Sequence, residues 1–570
     1  MRLLVVAIFG ALTVPHSVAA CAQTLAAKPA VSPPAASEGK NKIRFEDRAA
    51  QSGVHFVLNN GTTEDKPIID AVPGGVALFD YDNDGYLDIF FTNGAHIPEL
   101  VKSSPAFWNR LYHNNHDGTF TDVTEHSGLR GEGYSMGVAA ADYDNDGWTD
   151  LYVTGVNRNI LYHNNHDGTF TDVTGKAGVT GVSDGKKLFS VSAAWVDYDN
   201  DGLLDLFVTN YLDWTPETSR VCGEPGKRLT CPPSQYRGEP NILYRNNGDG
   251  TFTDISKQTG IGAQIGKGMG VAIADFDGDG WMDIFVANDN ERNFLFRNRG
   301  GKWFEEIGVE ATVAYTDNGV PLSSMGVDFR DWQNDGNPGI FVTALGGETF
   351  PLWMNEGNGF FNMVTYKAQI GFSSFKMSGW GAGIFDFDND GWKDLFSANS
   401  HVSENAGIDP QQHYRQTNAV FASRGNGTFE DVSESAGLAG IPVAAHRGCA
   451  FGDLNNDGRV DVVVSAISGP AEILYNASVG KNHWLTIETR GVRSNRDGIG
   501  TRIKLTSQSG QVQYNHVTTA GSYASSVDRR VHFGLGDDAR VKEIELRWPS
   551  GTVQILRNVA ADQILKVVEE

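Results

Sequence analysis

The chain has 570 residues, room for a long repeat array plus a small domain. Its formal net charge is −24, with 46 Lys/Arg against 70 Asp/Glu; this argues against the basic face of a generic nucleic-acid binder and favours cations as partners. Its 67 glycines exceed the ordinary share of about 7 % and point to many tight turns, and so to a β-rich chain rather than a helical one.

Residues 1–21 read as an export signal: Arg2 is followed by "LLVVAIFGALTVPHSVAA", which is too short and too broken by Pro15 and His16 to be read as a transmembrane helix. Two cleavage readings stay open. "VAAC" resembles a lipobox and would put a lipid on Cys21, whereas "ACA" before Gln23 suits ordinary signal peptidase. Residues 22–42, rich in Ala, Pro and Ser, form a flexible tether with no core-forming pattern. The chain is therefore expected to be exported: periplasmic, outer-membrane-anchored as a lipoprotein, or secreted. Membrane contact is expected through such an anchor only.

Residues 43–478 repeat one grammar seven times. A small-residue apolar run such as "GVAAA" leads into an acidic loop; a β-prone run follows, then a connector, then "LYHNN", a turn and "TFTDVT". Four short strands per unit, bounded by Asn/Asp/Gly turns, are the logic of a β-propeller, so the expected fold is all-β with seven blades. "RFEDRAAQSGV" at 44–54 matches "TFTDVTEHSGL" at 119–129, while the last unit lacks such an outer strand. The N-terminal strand is therefore expected to complete the last blade and close the ring.

The loops read "DYDNDGYLD", "DYDNDGWTD", "DYDNDGLLD", "DFDGDGWMD", "DWQNDGNPG", "DFDNDGWKD" and "DLNNDGRVD". Their acidic positions 1, 3, 5 and 9 are Asp80, Asp82, Asp84 and Asp88 in the first loop, and Asp142, Asp144, Asp146 and Asp150 in the second. The third has Asp197, Asp199, Asp201 and Asp205; the fourth has Asp275, Asp277, Asp279 and Asp283. The sixth has Asp386, Asp388, Asp390 and Asp394; the seventh has Asp453, Asn455, Asp457 and Asp461. Crowded carboxylates repel one another and call for a cation. Ca²⁺, which takes 6–8 oxygens at about 2.3–2.6 Å, suits them better than Mg²⁺. About six calcium sites are expected, since the fifth loop, from Asp331, has Gln333 at position 3 and Gly339 at position 9. No loop has the bidentate Glu at position 12 that an EF-hand requires.

The segment "LYHNNHDGTFTDVT" occurs twice, at 111–124 and 161–174, with His113/His116 and His163/His166. The third copy has Arg245 and Gly248 at these positions, so the turn does not need histidine, and by itself it supplies too few ligands for zinc. The histidines are read as part of a duplicated structural hairpin, and the metal is assigned to the carboxylate loops. Cys222 and Cys231, nine residues apart in a long connector, are read as a local disulfide of an exported protein. Cys449 is read as a buried small side chain.

These repeats resemble FG-GAP/VCBS repeats, the units of the integrin α-subunit propeller, in their bacterial form. The C-terminal stretch "HWLTIETRGVRSNRDGIGTRIKL" to "EIELRWPSGTVQIL" resembles the ASPIC/UnbV domain, and the pairing is that of the cartilage-acidic-protein-like family. The resemblance implies a seven-bladed, calcium-binding, extracellular protein and no established reaction. Residues 479–570 alternate in strand fashion and are expected to form a small β-domain packed beside the propeller. From residue 480 on they carry 13 Lys/Arg against 10 Asp/Glu, with no RNA-binding aromatic motif, so nucleic acid is not expected as a partner.

If strands alternate within a blade, the acidic loops and the "NNHDG" turns share one face and the variable connectors share the other. Recognition of an extracellular protein or glycan by a monomer is expected on that other face, through 94–110, 211–240, 288–293 and 400–418. The alternative is an extracytoplasmic enzyme acting on glycans or another polymer, with His96, Asp289, Glu291 and His401 on the same face. No nucleophile motif marks such a site, and no catalytic residue is assigned.

Overall fold

The computed structural model describes residues 43–405 and 413–570. The signal segment, the tether with Cys21, and part of the connector 400–418 lie outside the described residues. Upstream of residue 480 the chain forms seven four-stranded antiparallel sheets, each with its strands in chain order except the last. Sheet 1 consists of Val76–Phe79, Asp88–Phe91, Arg110–Asn114 and Phe120–Asp122. The innermost strands are buried along their whole length save Phe385 at the end of sheet 6's, whereas the outer strands bury one residue in three. This gradient is why the inner runs read as small and apolar while the outer ones read as "FTD".

Sheet 7 is built from His446–Gly452, Asp461–Ala466 and Glu472–Asn476, and its fourth strand is Phe45–Asp47 from the other end of the chain, paired Phe45 to Asn476. The first strand of every sheet packs against the first strands of both neighbours, so the seven close a ring around an axis. Glycines permit this approach. A Cβ on Gly326 would stand 2.0 Å from the Trp380 carbonyl of the next sheet, and one on Gly448 would stand 2.3 Å from the Gly74 carbonyl.

The acidic loops are chained around the same ring. Position 4 needs a left-handed backbone, which Asn tolerates; Asn83 has φ 59°. Its side-chain amide donates to the Gly147 carbonyl of loop 2 at 2.9 Å. Asn145, Asn200, Asn334 and Asn389 repeat this bond to Gly202, Gly280, Gly391 and Gly458, and Asn456 returns to Gly85 of loop 1 at 3.0 Å. The chain breaks once, where loop 4 has Gly278. There Arg502 reaches in from the C-terminal domain, 3.1 Å from Asp275 and 3.5 Å from the Gly336 carbonyl.

The C-terminal domain has two sheets. One is Val531–Gly536, His483–Arg490 and Gln563–Val568; the other is Val512–His516, Arg502–Ser507, Arg540–Arg547 and Val553–Ala560. It lies across the acidic-loop face rather than beside the ring. Asn145 Oδ1 accepts from the Arg496 amide at 2.7 Å, Asn389 Oδ1 from His532 at 2.7 Å and Asn456 Oδ1 from Arg530 at 2.8 Å. The same asparagines that link the loops therefore also carry the domain.

From this domain residues 516–527, all buried, run down the axis. His516 donates to the Ile273 carbonyl at 2.8 Å, and Ala524 N to Ser192 Oγ at 3.1 Å. The Ala524 carbonyl accepts from Val138 N, Ser526 exchanges bonds with Val76 and Leu78, and the Ser522 carbonyl accepts from Val327 N. Ser522 Oγ bonds Ala382 N and lies 3.3 Å from Cys449 Sγ. One short segment thus touches all seven sheets, and backbone groups that would otherwise line an empty channel are paired. Cys449 is buried against it, with its thiol pushed up to about 12 by burial. At the far end Tyr523 donates to the Val72 carbonyl at 2.7 Å, and its ring meets Trp380 edge-on at 5.1 Å.

Tyr523→Ala should cost about 3–5 kcal/mol, the range for deleting a buried aromatic, whereas Tyr523→Phe, which removes only the hydroxyl bond, should cost about 1–2 kcal/mol. Urea unfolding followed by tryptophan fluorescence checks both. Equal, negligible shifts would show that the segment does not brace the ring.

Candidate metal-binding face

Each acidic loop divides its labour. At position 1, Asp80 accepts from the amides of Asp84 at 3.1 Å and Gly85 at 2.8 Å, which forms the turn. At position 9, Asp88 is buried and accepts from Tyr81 N at 3.0 Å and from Asn114 N on the third strand at 2.8 Å. Asp150, Asp205, Asp283, Asp394 and Asp461 make the same pair of bonds in their sheets. Asn114 then donates to Leu87 and, across to sheet 7, to the Leu454 carbonyl at 2.8 Å. Positions 1 and 9 therefore hold the fold, and the oxygens less engaged by backbone belong to positions 3 and 5.

Those oxygens fit a cation. Asp82 Oδ1, Asp199 Oδ1 and Asp388 Oδ1, all at position 3, are buried atoms with no hydrogen-bond partner. Such an acceptor is costly to leave unpaired. Loop 5 differs as its sequence suggests. Gln333 removes the charge at position 3, and a Cβ at Gly339 would stand 2.4 Å from Trp332 Nε1, so an indole occupies the space of the ninth carboxylate.

The structure separates loops that look alike in sequence, through the residue just before the third-strand Asn or its equivalent. That residue is His113, His163, Arg245, Arg297, Met354, Ala422 and Tyr475 in sheets 1 to 7, and it stands over the acidic loop. Arg245 pairs with Asp199 and Asp201, both at 3.0 Å, and Arg297 with Asp277 at 2.5 Å, so loops 3 and 4 already hold a cation from the chain. In loop 7 Arg459 pairs with Asp457 at 2.7 Å. Ala422 adds nothing to loop 6. There burial and mutual repulsion push Asp386, Asp388 and Asp394 far above the ordinary carboxylate range.

The histidines need a correction. The turn alone lacks ligands, but folding lays it against the loop. His113 Nδ1 is 3.3 Å from Asp82 and 3.4 Å from Asp88, and His116 Nε2 is 2.6 Å from Asp84. The second copy repeats this with His163 3.3 Å from both Asp144 and Asp150, and His166 2.6 Å from Asp146. The signal was present in the sequence as the residue before the third-strand Asn, which changes from His to Arg, Met, Ala or Tyr while its neighbours stay apolar before it and Asn or Ser after it.

On the opposite face, Cys222 and Cys231 are joined, with Cα atoms 5.3 Å apart. Lys102 ties down the connector 94–110 by donating to the carbonyls of Asn93, Gly94 and Phe107 at 2.5–2.8 Å. A pocket of about 770 Å³ opens between these connectors, lined by Pro98, Leu100, Arg158, Lys187, Trp214 and Glu217 among others. The four residues of the enzyme alternative each have a local partner: His96 with Glu99, Asp289 with Tyr211, Glu291 with Lys267 and His401 with Ser403. None of these pairings joins two of the four.

A family model for the FG-GAP-like repeat matches residues 80–153, 142–208, 234–286, 275–342 and 386–464. The chain belongs to the FG-GAP repeat family. A second model, ASPIC and UnbV, matches residues 491–570 of this FG-GAP protein. Cartilage acidic protein 1 of Homo sapiens is 24 % identical over 514 residues, covering 87 % of this chain and 71 % of that one. The Xenopus tropicalis protein of that name is 24 % identical over 553 residues, covering 87 % and 73 %. Among solved structures, the BP39L lectin from Burkholderia pseudomallei covers 72 % of this chain and 96 % of its own at 11 % identity and TM-score 0.41. YCF48 bound to D1 peptide covers 79 % and 98 % at 8 % identity and TM-score 0.39.

Burial raises Asp88 and Asp150 to about 7, and the neighbouring carboxylates raise His113 and His163. Both shifts have one sign. The metal-free folded state holds protons that the unfolded chain has released, so its stability falls as pH rises through the raised values. Chelator-treated protein should therefore melt at a higher temperature at pH 6.5 than at pH 8.5. Below that window the buried neutral His516 and His532, both lowered to about 3, oppose the trend. A flat melting profile from pH 6.5 to 8.5 would contradict the burial of these carboxylates.

Proposed function

We propose that this FG-GAP protein is an exported, calcium-binding interaction module whose recognition surface is the connector face. The observation that carries the recognition reading is the pocket of about 770 Å³ that opens between the connectors, on the face away from the C-terminal domain. A second cavity of about 780 Å³ lies where that domain meets loops 4 and 5, and its lining includes Arg502, already engaged with Asp275. The disulfide and the half-buried Lys102 hold those connectors on a rigid ring, the usual arrangement for recognition loops. The pocket's mixed charge and its Trp214 wall suit an extracellular protein or glycan, bound by a monomer. Arg158→Glu with Lys187→Glu should abolish binding of the best hit from a glycan and peptide screen; undiminished binding would move the site elsewhere.

Calcium is the structural partner in this reading, and loop 6 is its strongest site. Asp386, Asp388, Asp390 and Asp394 would hold the ion, which supplies the positive charge that Arg245 and Arg297 supply in sheets 3 and 4. Asn389 and Gly391 of that loop carry His532 and Gln511 of the C-terminal domain, so the ion braces the contact between domain and ring. Asp388→Ala with Asp390→Ala should remove one calcium per chain by elemental analysis and lower the melting temperature only when calcium is present. Calcium content unchanged by these substitutions would refute loop 6 as the site. Export is supported by the leader of residues 1–21, and mass spectrometry of the mature N-terminus separates a lipid on Cys21 from cleavage beyond it.

A further inference from the structure

We propose that loops 1 and 2 are two equivalent sites for a zinc-type d-block cation, held by His113, Asp82 and Asp88 in one and by His163, Asp144 and Asp150 in the other. This goes beyond the calcium reading and replaces calcium at these two loops, while leaving loop 6 as an oxygen-only site.

The first ground is donor chemistry. Ca²⁺ and Mg²⁺ take oxygen ligands, whereas an imidazole nitrogen with carboxylates selects zinc and its neighbours. Of the seven loops, only these two have a histidine standing over them.

The second ground is an orphaned nitrogen. His113 Nδ1 and His163 Nδ1 are buried atoms without a hydrogen-bond partner, as is Asp82 Oδ1 beside the first. A buried Nδ1 facing two carboxylate oxygens without bonding either is costly, and a cation between them removes the cost.

The third ground is distance. His113 Nδ1 lies 3.3 and 3.4 Å from the nearer oxygens of Asp82 and Asp88, and His163 Nδ1 lies 3.3 Å from those of Asp144 and Asp150. A tetrahedron with metal bonds of about 2.0–2.1 Å has edges of about 3.3–3.4 Å, so the imidazole–carboxylate edges are already at zinc spacing. The Asp88 and Asp150 oxygens concerned also accept from Asn114 N and Asn164 N and would give the ion their second lone pair. In loop 2 the ligand atoms of Asp144, Asp150 and His163 all lie within 4.8 Å of one another. Water would complete the coordination.

The surroundings hold the ligands in place. Tyr86 stacks on His116 at 4.0 Å and Trp148 on His166 at 5.0 Å. Each stacked imidazole bonds the position-5 carboxylate at 2.6 Å, which orients the loop around the site. The contrast with sheets 3 and 4 is internal to the chain. An arginine at the same position closes the loop to any added ion, whereas a histidine can give up its Nδ1 proton in exchange for the ion and offer it a lone pair.

The test is elemental analysis of the full-length protein, stripped with chelator, incubated with zinc and calcium chlorides together and desalted. Two zinc ions per chain are expected, one per loop. His113→Ala and His163→Ala should each lose one, and the double variant both, with calcium unchanged. Ala is accommodated at this position, because sheet 6 already has Ala422 there; unchanged melting of the stripped variants confirms it. Cobalt(II) in place of zinc should give the intense visible bands of a tetrahedral site, lost in the double variant. Zinc content unaffected by the double substitution, or cobalt spectra of octahedral type, would overturn the proposal. Asp388→Ala with Asp390→Ala should lower calcium and leave zinc intact, so either site can fail without the other.

Discussion

A buried aspartate that accepts two backbone amides holds six of the seven repeats together. Asp88 bonds Tyr81 N at the start of its own loop and Asn114 N on the third strand, and so fastens the inner hairpin to the outer one. Hydrogen bonds to a charged acceptor contribute about 1.5–3 kcal/mol each, and an unpaired carboxylate at this depth would not be tolerated. The asparagine so positioned then spends its side chain on the neighbouring sheet. Asn114 reaches Leu454, Asn164 reaches Tyr81 and Asn246 reaches Tyr143, each at 2.8 Å. One interaction thus sets the geometry within a sheet and the spacing between sheets. Sheet 5 shows what can replace it. Trp332 fills the ninth position's space with apolar surface, yet Asn355 still bonds Phe276 of the preceding sheet.

This dependence changes how the acidic motif should be counted. Four carboxylates in nine residues look like one ion site, but those at positions 1 and 9 already accept backbone amides and have only a remaining lone pair to offer an ion. The character of the site is then set by a residue on another strand. An arginine there makes an internal ion pair, an alanine leaves the charge bare, and a histidine adds a nitrogen donor. Seven loops of nearly one sequence are therefore at least three kinds of site. The repeat array is uniform in architecture and not in electrostatics.

Much of this was legible in the sequence. The strand grammar, the closing role of Phe45–Asp47, the turn glycines and the missing ninth carboxylate of loop 5 all follow from local patterns, because each acts within one repeat or between matched segments. Three features were not legible. The histidines give no local signal because their carboxylate partners lie in a separate loop earlier in the chain, across the inner hairpin, and only folding brings that loop beneath them. Arg502 substitutes for the asparagine missing at Gly278 from more than 200 residues downstream, and nothing local marks it. The axial segment "HVTTAGSYASSV" carries neither a strand alternation nor a hydrophobic stripe. It is buried because its backbone and small hydroxyls satisfy the inner strands of other sheets, and composition cannot announce that role.

The filled axis has a consequence for the whole molecule. In an open ring the central channel is the natural cavity and the sheets can breathe around it. Here the covering domain inserts its own chain into that channel and bonds every sheet, while Arg496, Arg530 and His532 hold the loop asparagines above. The domain and the ring therefore share one core and cannot be separated without exposing unpaired backbone on both. The same insertion commits one face to internal contacts and leaves the other to carry variation. On that face the connectors differ in length from sheet to sheet, and the longest is stapled by a disulfide. Rigidity and variation are thus divided between the two ends of one axis, and the acidic loops belong to the rigid end.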